Sequence, residues 1–196
     1  MALLAIDIET YSDVDLTKSG VYAYCDSPQF EILLFAYAFD DEPTEIIDLA
    51  CGEQLPQKVL DALEDTSVIK TAFNAAFERT CISKHLGKKL SPAAWQCTAV
   101  QDIQRKKLKE GADFVRFFSM PCKATKANGG RTRNLPSHEP EKWERFKAYC
   151  IRDVDAEREI RHKLRNYPIS ESEMRLYQMD QEINDRGILV DRELVA

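Results

Sequence analysis

Three groups of oxygen-bearing side chains stand at spacings that could do chemistry together. The first is Asp7 with Glu9, inside the stretch LLAIDIETYS that runs from Leu3 to Ser12. Leu3 to Ile8 is apolar apart from Asp7, as in a buried strand, where residues i and i+2 project from the same face. Their Cα atoms then lie about 6.5 Å apart, so both carboxylates can lean towards one divalent cation. Without a cation, burying such acids is costly and the pair repels. Hard oxygen ligands on a rigid strand suit Mg²⁺ or Mn²⁺, with phosphate oxygens of a substrate completing the shell. The plain alternative is a strand end emerging into solvent with both acids hydrated.

The second group is Tyr149 with Asp153, four apart and so on one face of a helix. The third is Asn74 with Glu78, four apart where a strand meets a helix. Taken alone, a tyrosine and an acid at this spacing are common on amphipathic helices, and Glu78 in a first turn could simply complement the helix dipole. A fourth cluster differs in sign. The stretch CKATKANGGRTRN carries Lys123, Lys126, Arg131 and Arg133 with no acid among them. Beside an acidic metal site such a loop could hold the backbone of a single strand, its glycines allowing close approach to a phosphate. Otherwise it is a solvated surface loop.

The elements that must position these groups are legible from periodicity. Residues 2–9 and EILLFAYAF (31–39) read as buried strands, and PTEIIDLA (43–50) completes an antiparallel meander. Leu55, Val59, Leu60 and Leu63 mark one helical face. SVIKTAF (67–73) is a further strand, and NAAFERTCISKHLG (74–87) a helix ended by Gly87. After Pro92 a helix is expected from about Trp95 through QDIQRKKLKE. Residues 119–140 form a long ordered loop with three prolines and no periodic apolar face. Pro140 then opens a long helix to about Leu164, striped by Trp143, Phe146, Cys150, Val154 and Ile160. Pro168 breaks it, and residues 170–187 read as one more helix. The expected fold class is α/β, a mixed sheet flanked by helices.

Composition narrows the class. A chain of 196 residues, 44% hydrophobic and 31% charged, is ordinary for a globular protein. It contains no apolar run of the roughly 20 residues a bilayer span needs, and no secretory signal pattern. Six scattered cysteines without a CxxC pair or a ligand-like spacing with the three histidines read as reduced packing residues of a cytoplasmic protein. The net charge of −6 exerts no global pull on nucleic acid, which leaves the basic loop as a local device.

Taken in order, Asp-x-Glu on the first strand, Asn-x-x-Phe-acid at a strand-to-helix junction and Tyr-x-x-x-Asp on a late helix resemble the three motifs of the DEDD (DnaQ-like) 3′→5′ exonucleases. More closely, DIETYSDVDL, FEILLFAYAFDD, VIKTAFNAAFERTC, TKANGGRTRNLP and PEKWERFKAYC resemble the N-terminal proofreading domain of phage and prophage family-A DNA polymerases. The resemblance implies a ribonuclease-H-like fold in which Asp7, Glu9, Glu78 and Asp153 hold two Mg²⁺ ions, with Mn²⁺ a substitute, while Tyr149 orients the attacking water. It implies a 3′→5′ exodeoxyribonuclease acting on single-stranded DNA or frayed 3′ ends, in a bacterial host or prophage setting. Thr10, Asn74 and Phe77 join the four loop cations as nucleic-acid-binding candidates. Residues 1–167 would be the exonuclease domain, and 168–196 a helical segment like the approach to a polymerase thumb, with the polymerase portion of a longer chain as partner. At this length no polymerase palm fits, so no DNA synthesis is expected of the fragment.

Two features depart from the family pattern. Glu78 stands where most members carry aspartate, which extends the carboxylate by about 1.5 Å, one bond length. After WQCTAV, the polymerase relatives carry a short helical segment with a Ser-Leu motif, whereas here the chain runs directly into QDIQRKKLKEGADF. That shortening favours the runner-up, a catalytically silent DNA-binding or scaffold domain of a polymerase. An RNA-trimming relative of the same fold is the third reading.

Overall fold

A computed structural model of the chain describes residues 2–101 and 112–190. Five strands form one mixed sheet: β1 (Leu3–Tyr11), β2 (Glu31–Phe39), β3 (Glu45–Asp48), β4 (Ile69–Ala72) and β5 (Trp95–Cys97), in the order β3-β2-β1-β4-β5. β1 pairs antiparallel with β2, and β2 with β3; β4 runs parallel to β1, and β5 to β4. The helices are α1 (Leu16–Asp26), α2 (Gln57–Glu64), α3 (Ala75–Leu86), α4 (Thr98–Gln101), α5 (Ala112–Ser119), α6 (Pro140–Leu164) and α7 (Glu171–Arg186).

Strand alternation builds two cores. Leu4, Ile6 and Ile8 face α1, α2 and α3 together with Phe35, Val59, Leu63, Ile82 and Trp95. Leu3, Ala5 and Tyr11 face the other way, onto Phe118, Trp143, Phe146, Cys150 and Val154 of α5 and α6. Phe118, Trp143 and Phe146 form an aromatic cluster with ring centroids 4.8–5.6 Å apart. Because Asp7 and Glu9 share the parity of Leu3 and Ala5, burying Ile6 and Ile8 in the first core turns both acids towards α6.

The long elements lie where periodicity predicts them: β2 spans 31–39, α6 spans 140–164, and α3 ends at Gly87 in the left-handed conformation. Two expectations need correction. No helix begins at Trp95; Pro92–Ala94 form a 3-10 turn capped by Ser91, and Trp95–Cys97 add a parallel strand beside β4 before α4 starts at Thr98. Ladder pairing of Trp95 with Lys70 and Cys97 with Ala72 wins over any local helical preference. The helix expected over QDIQRKKLKE lies outside the described residues beyond Gln101. In α6, Ile160 is half-buried, and the apolar stripe is continued instead by the buried Glu157.

α1 was not foreseen. Its backbone is interrupted at Gly20 (φ 74°, ψ 170°), which breaks the 3.6-residue period that would betray it. α7 opens with a capping box between Ser170 and Glu173 and returns to pack against α3 and the 92–94 turn. Among the described residues no helix is long and apolar enough to cross a membrane.

Candidate active site

The parallel pairing of β1 with β4 delivers their C-terminal ends to one edge of the sheet. There β1 presents Asp7 and Glu9, and β4 hands over to α3, whose first turn carries Glu78. Opposite Glu9 and Thr10 the register shifts by one, leaving Leu33 of β2 as the extra residue of a bulge; such bulges are over-represented next to active sites. α6 crosses the same edge with Tyr149 and Asp153.

The four carboxylates lie within electrostatic reach of one another. Glu9 is buried, and its carboxyl is held well above the ordinary 4.5, first by burial and then by the charges of Asp7, Asp153 and Glu78. Glu78 is also buried and raised, by burial and then Asp7, against the pull of its own backbone N–H. Its Oε2 has no hydrogen-bond partner. An orphaned buried carboxylate oxygen among other acids is an unfilled demand for a cation. The Tyr149 hydroxyl donates to Asp153, and burial together with the neighbouring acids raises its pKa, so it keeps its proton. The Cys150 thiol lies 3.4 Å from Asp7 Oδ2 and donates to it.

The donor set suits a hard cation such as Mg²⁺ or Mn²⁺ in kind: four carboxylates on rigid elements. Among the described residues, no three His, Cys, Asp or Glu side chains stand ready to hold an ion in the arrangement they adopt. The donors thus suit a divalent metal in kind and charge, but not in the arrangement they adopt.

The remaining candidates divide. Asn74 is exposed at the head of α3, and Phe77 is half-buried against Tyr24, ring centroids 6.2 Å apart. Thr10, expected to touch nucleic acid, is instead buried with its hydroxyl engaged by Tyr24 at 2.9 Å; strand alternation puts it on the same face as Ile6 and Ile8. Burial pushes the Tyr24 phenol up to about 12, so this contact stays a neutral hydroxyl pair. Arg133 is a tether rather than an open cation: its guanidinium stacks 3.8 Å from the Tyr11 ring centroid and pairs with Glu31. Lys123 and Lys126 are exposed, and Arg131, bonded to Asn134, lines a cleft of about 570 Å³ with Arg116, Phe117 and Lys123. Asn128 holds the loop through its amide, bonding the Lys123 and Arg131 carbonyls and accepting from the Thr125 and Gly130 N–H groups. Gly129 and Gly130 serve that turn with φ of 66° and 78°, so positive φ, and not approach to a phosphate, accounts for them here.

No family model matches the chain. Over 212 aligned residues it is 55% identical to the "DNA polymerase" of Bacillus phage SP02, covering 100% of this chain and 33% of that one. The chain is homologous to part of a phage DNA polymerase. It spans about a third of the length of the relative it matches. A solved nuclease in its apo form shares the fold over 97% of this chain and 89% of its own, at TM-score 0.53 and 15% identity. Brucella melitensis NrnC has been solved bound to pGG (TM-score 0.49, 13% identity, covering 92% of this chain and 79% of its own) and with Mg²⁺ (TM-score 0.47, 15% identity, 94% and 86%).

At this site, sequence reasoning missed Glu157. It is buried one helical turn beyond Asp153, accepts hydrogen bonds from Thr98 and, at 3.4 Å, from Thr71, and adds to the charge felt by Glu78. Its signal was available: an acid on the buried stripe of α6, three residues after Val154. Arg116 was missed because α5 itself was not foreseen.

Proposed function

We propose that the chain is a metal-dependent 3′→5′ exonuclease that removes nucleotides from DNA 3′ ends, the proofreading-type domain of a phage-like polymerase working in a bacterial cytoplasm. The observation that carries this reading is the convergence of Asp7, Glu9, Glu78 and Asp153, with the Tyr149 hydroxyl bonded into the same cluster. These four acids would hold two Mg²⁺ ions, Mn²⁺ substituting, which when bound supply charge stabilisation to the attacking and leaving oxygens of phosphodiester hydrolysis. Tyr149 orients the nucleophile through its hydroxyl. Cys150 and Glu157 hold Asp7 and the Asp153 turn of α6 in place. Lys123, Lys126 and Arg131 draw in a single strand or frayed end, and the exposed Asn74 and half-buried Phe77 border its path. Residues 168–196 are read as the approach to a polymerase thumb, and the polymerase portion as the domain's partner.

One observation favours a second reading, a silent scaffold: no three of the acids stand ready to hold an ion in the arrangement described. Incubation with a 5′-labelled single DNA strand and Mg²⁺ separates the two. A ladder shortening from the 3′ end is expected; binding without cleavage assigns the domain to scaffolding, and cleavage of RNA alone assigns it to RNA trimming. Tyr149→Phe should bind the strand as well as the parent but cut about 10²–10⁴-fold more slowly in single turnover. An unchanged rate removes Tyr149 from the mechanism.

A further inference from the structure

α7 is amphipathic the wrong way round for a helix that ends a free domain. Its inward face is polar. Asp185 takes a two-pronged bond from Arg79 at 2.8 and 2.9 Å and another from Tyr22 at 2.9 Å; Gln181 contacts Arg79, and Gln178 donates to the Ala93 carbonyl. Tyr177 supplies an apolar contact to the core on that side. At 3.6 residues per turn, Leu176, Met179 and Ile183 fall on the opposite face, about 170° away. They are 60%, 51% and 40% exposed. The apolar surface runs on past Gly187 into Ile188, Leu189 and Val190, all exposed. Single exposed apolar side chains are ordinary, but a contiguous stripe at i, i+3 and i+7 marks an interaction site.

The inward latch makes the geometry firm. Arg79 and Asp185 are both buried, so α7 cannot roll to bury its stripe without stranding two charges. Whatever covers the stripe must come to it. The SP02 polymerase carries a matching domain within a chain about three times as long, so two-thirds of that polypeptide lies outside the match. We propose that the outward face of α7, continued by Ile188–Val190, is the seat on which the polymerase portion docks, through an apolar face of its own. This rests on the reading that the domain works beside a polymerase portion; it does not need the domain to cut DNA.

The test is hydroxyl-radical footprinting, which oxidises methionine according to its exposure. Met179, at 51% exposed, and Met120, at 47%, form a matched pair within one chain. In the separate chain the two should react alike. In a chimera where this chain replaces the matching third of the SP02 polymerase, Met179 should lose reactivity by about fivefold or more relative to Met120. Equal reactivity in the chimera overturns the proposal. Protection of Met179 in the separate chain that grows with protein concentration assigns the stripe to a second copy and also overturns it. Should the chimera fail to extend a primer, the SP02 polymerase itself is footprinted: protection of the helix matching α7 is expected, and reactivity at the level of an exposed side chain is refutation. Strand cleavage by the separate chain, measured in parallel, tells failure of the nuclease reading from failure of this one.

Discussion

Glu78 and Arg79 are consecutive residues on α3, both buried, and their surroundings could hardly differ more. Arg79 spends its donors on the Asp185 carboxylate, Gln181 and the Leu90 carbonyl. Glu78 keeps an oxygen with no partner and faces Asp7 and Glu157, charges of its own sign. Burial costs both groups solvation, and only one recovers it within the protein. A buried charge that is satisfied internally is structural. One left unsatisfied among like charges is held for something that arrives later.

The largest expected effect tests the unsatisfied side. Asp7→Asn should abolish measurable strand cleavage yet melt at a higher temperature than the parent when both are metal-free, because it removes one of four repelling charges at nearly constant shape. Mg²⁺ at a hundred times its dissociation constant should stabilise the parent by about 2.7 kcal/mol and the variant much less. If the two melt alike with and without Mg²⁺, the carboxylates share no pocket and the contrast with Arg79 collapses.

Arg79→Met tests the satisfied side. It leaves the buried Asp185 with only the Tyr22 hydroxyl and Lys89 at 3.5 Å, which costs up to about 3–5 kcal/mol, whereas Arg79→Met with Asp185→Leu should recover most of it. Urea denaturation reads both; a single variant within 1 kcal/mol of the parent, roughly the worth of an exposed pair, would show that the latch contributes little.

Acid should then separate the two regions by sign. Glu9 and Glu78 are raised in the folded state, so their penalty is absent below the ordinary 4.5 and enters as pH rises through the folded values. Asp185 is pushed up by burial but pulled below its ordinary 3.8 by Arg79 and Tyr22, so its contribution is present above 3.8 and fades as pH falls through the folded value. With a chelator present, lowering the pH towards 4.5 should therefore stabilise the parent, and Asp7→Asn should flatten that gain. The Arg79→Met and Asp185→Leu pair should flatten the loss at lower pH instead. Melting curves between pH 3 and 8, spanning the ordinary carboxylate range, check this; parallel profiles for all three proteins would sink it.

The smallest effect concerns the basic loop. Lys123→Ala should lower the salt slope of single-strand binding by about 0.7, the value for one phosphate contact on a single strand. Arg133→Ala should leave that slope near the parent's, since Arg133 is already committed to Glu31 and Tyr11. The reverse ranking would place Arg133 on the DNA path and make its ion pair incidental.

Much of this was legible in the chain itself. Alternation put Asp7 and Glu9 on one face of a buried strand, the helical period put Tyr149 beside Asp153, and proline and glycine marked the limits of α6 and α3. Each is a relation between residues at most a few positions apart, which backbone geometry fixes in advance. What tertiary structure alone decided are meetings over distance. β5 is three residues long and exists because β4 offers it a ladder. Thr10, turned inward by strand alternation, meets the Tyr24 hydroxyl, and Arg133 is spoken for because the loop folds over Tyr11. Asp185 finds Arg79 from 106 positions away. Local sequence sets which way a side chain points from its own element; the packing of elements decides what it meets there, and whether its charge is answered or left waiting.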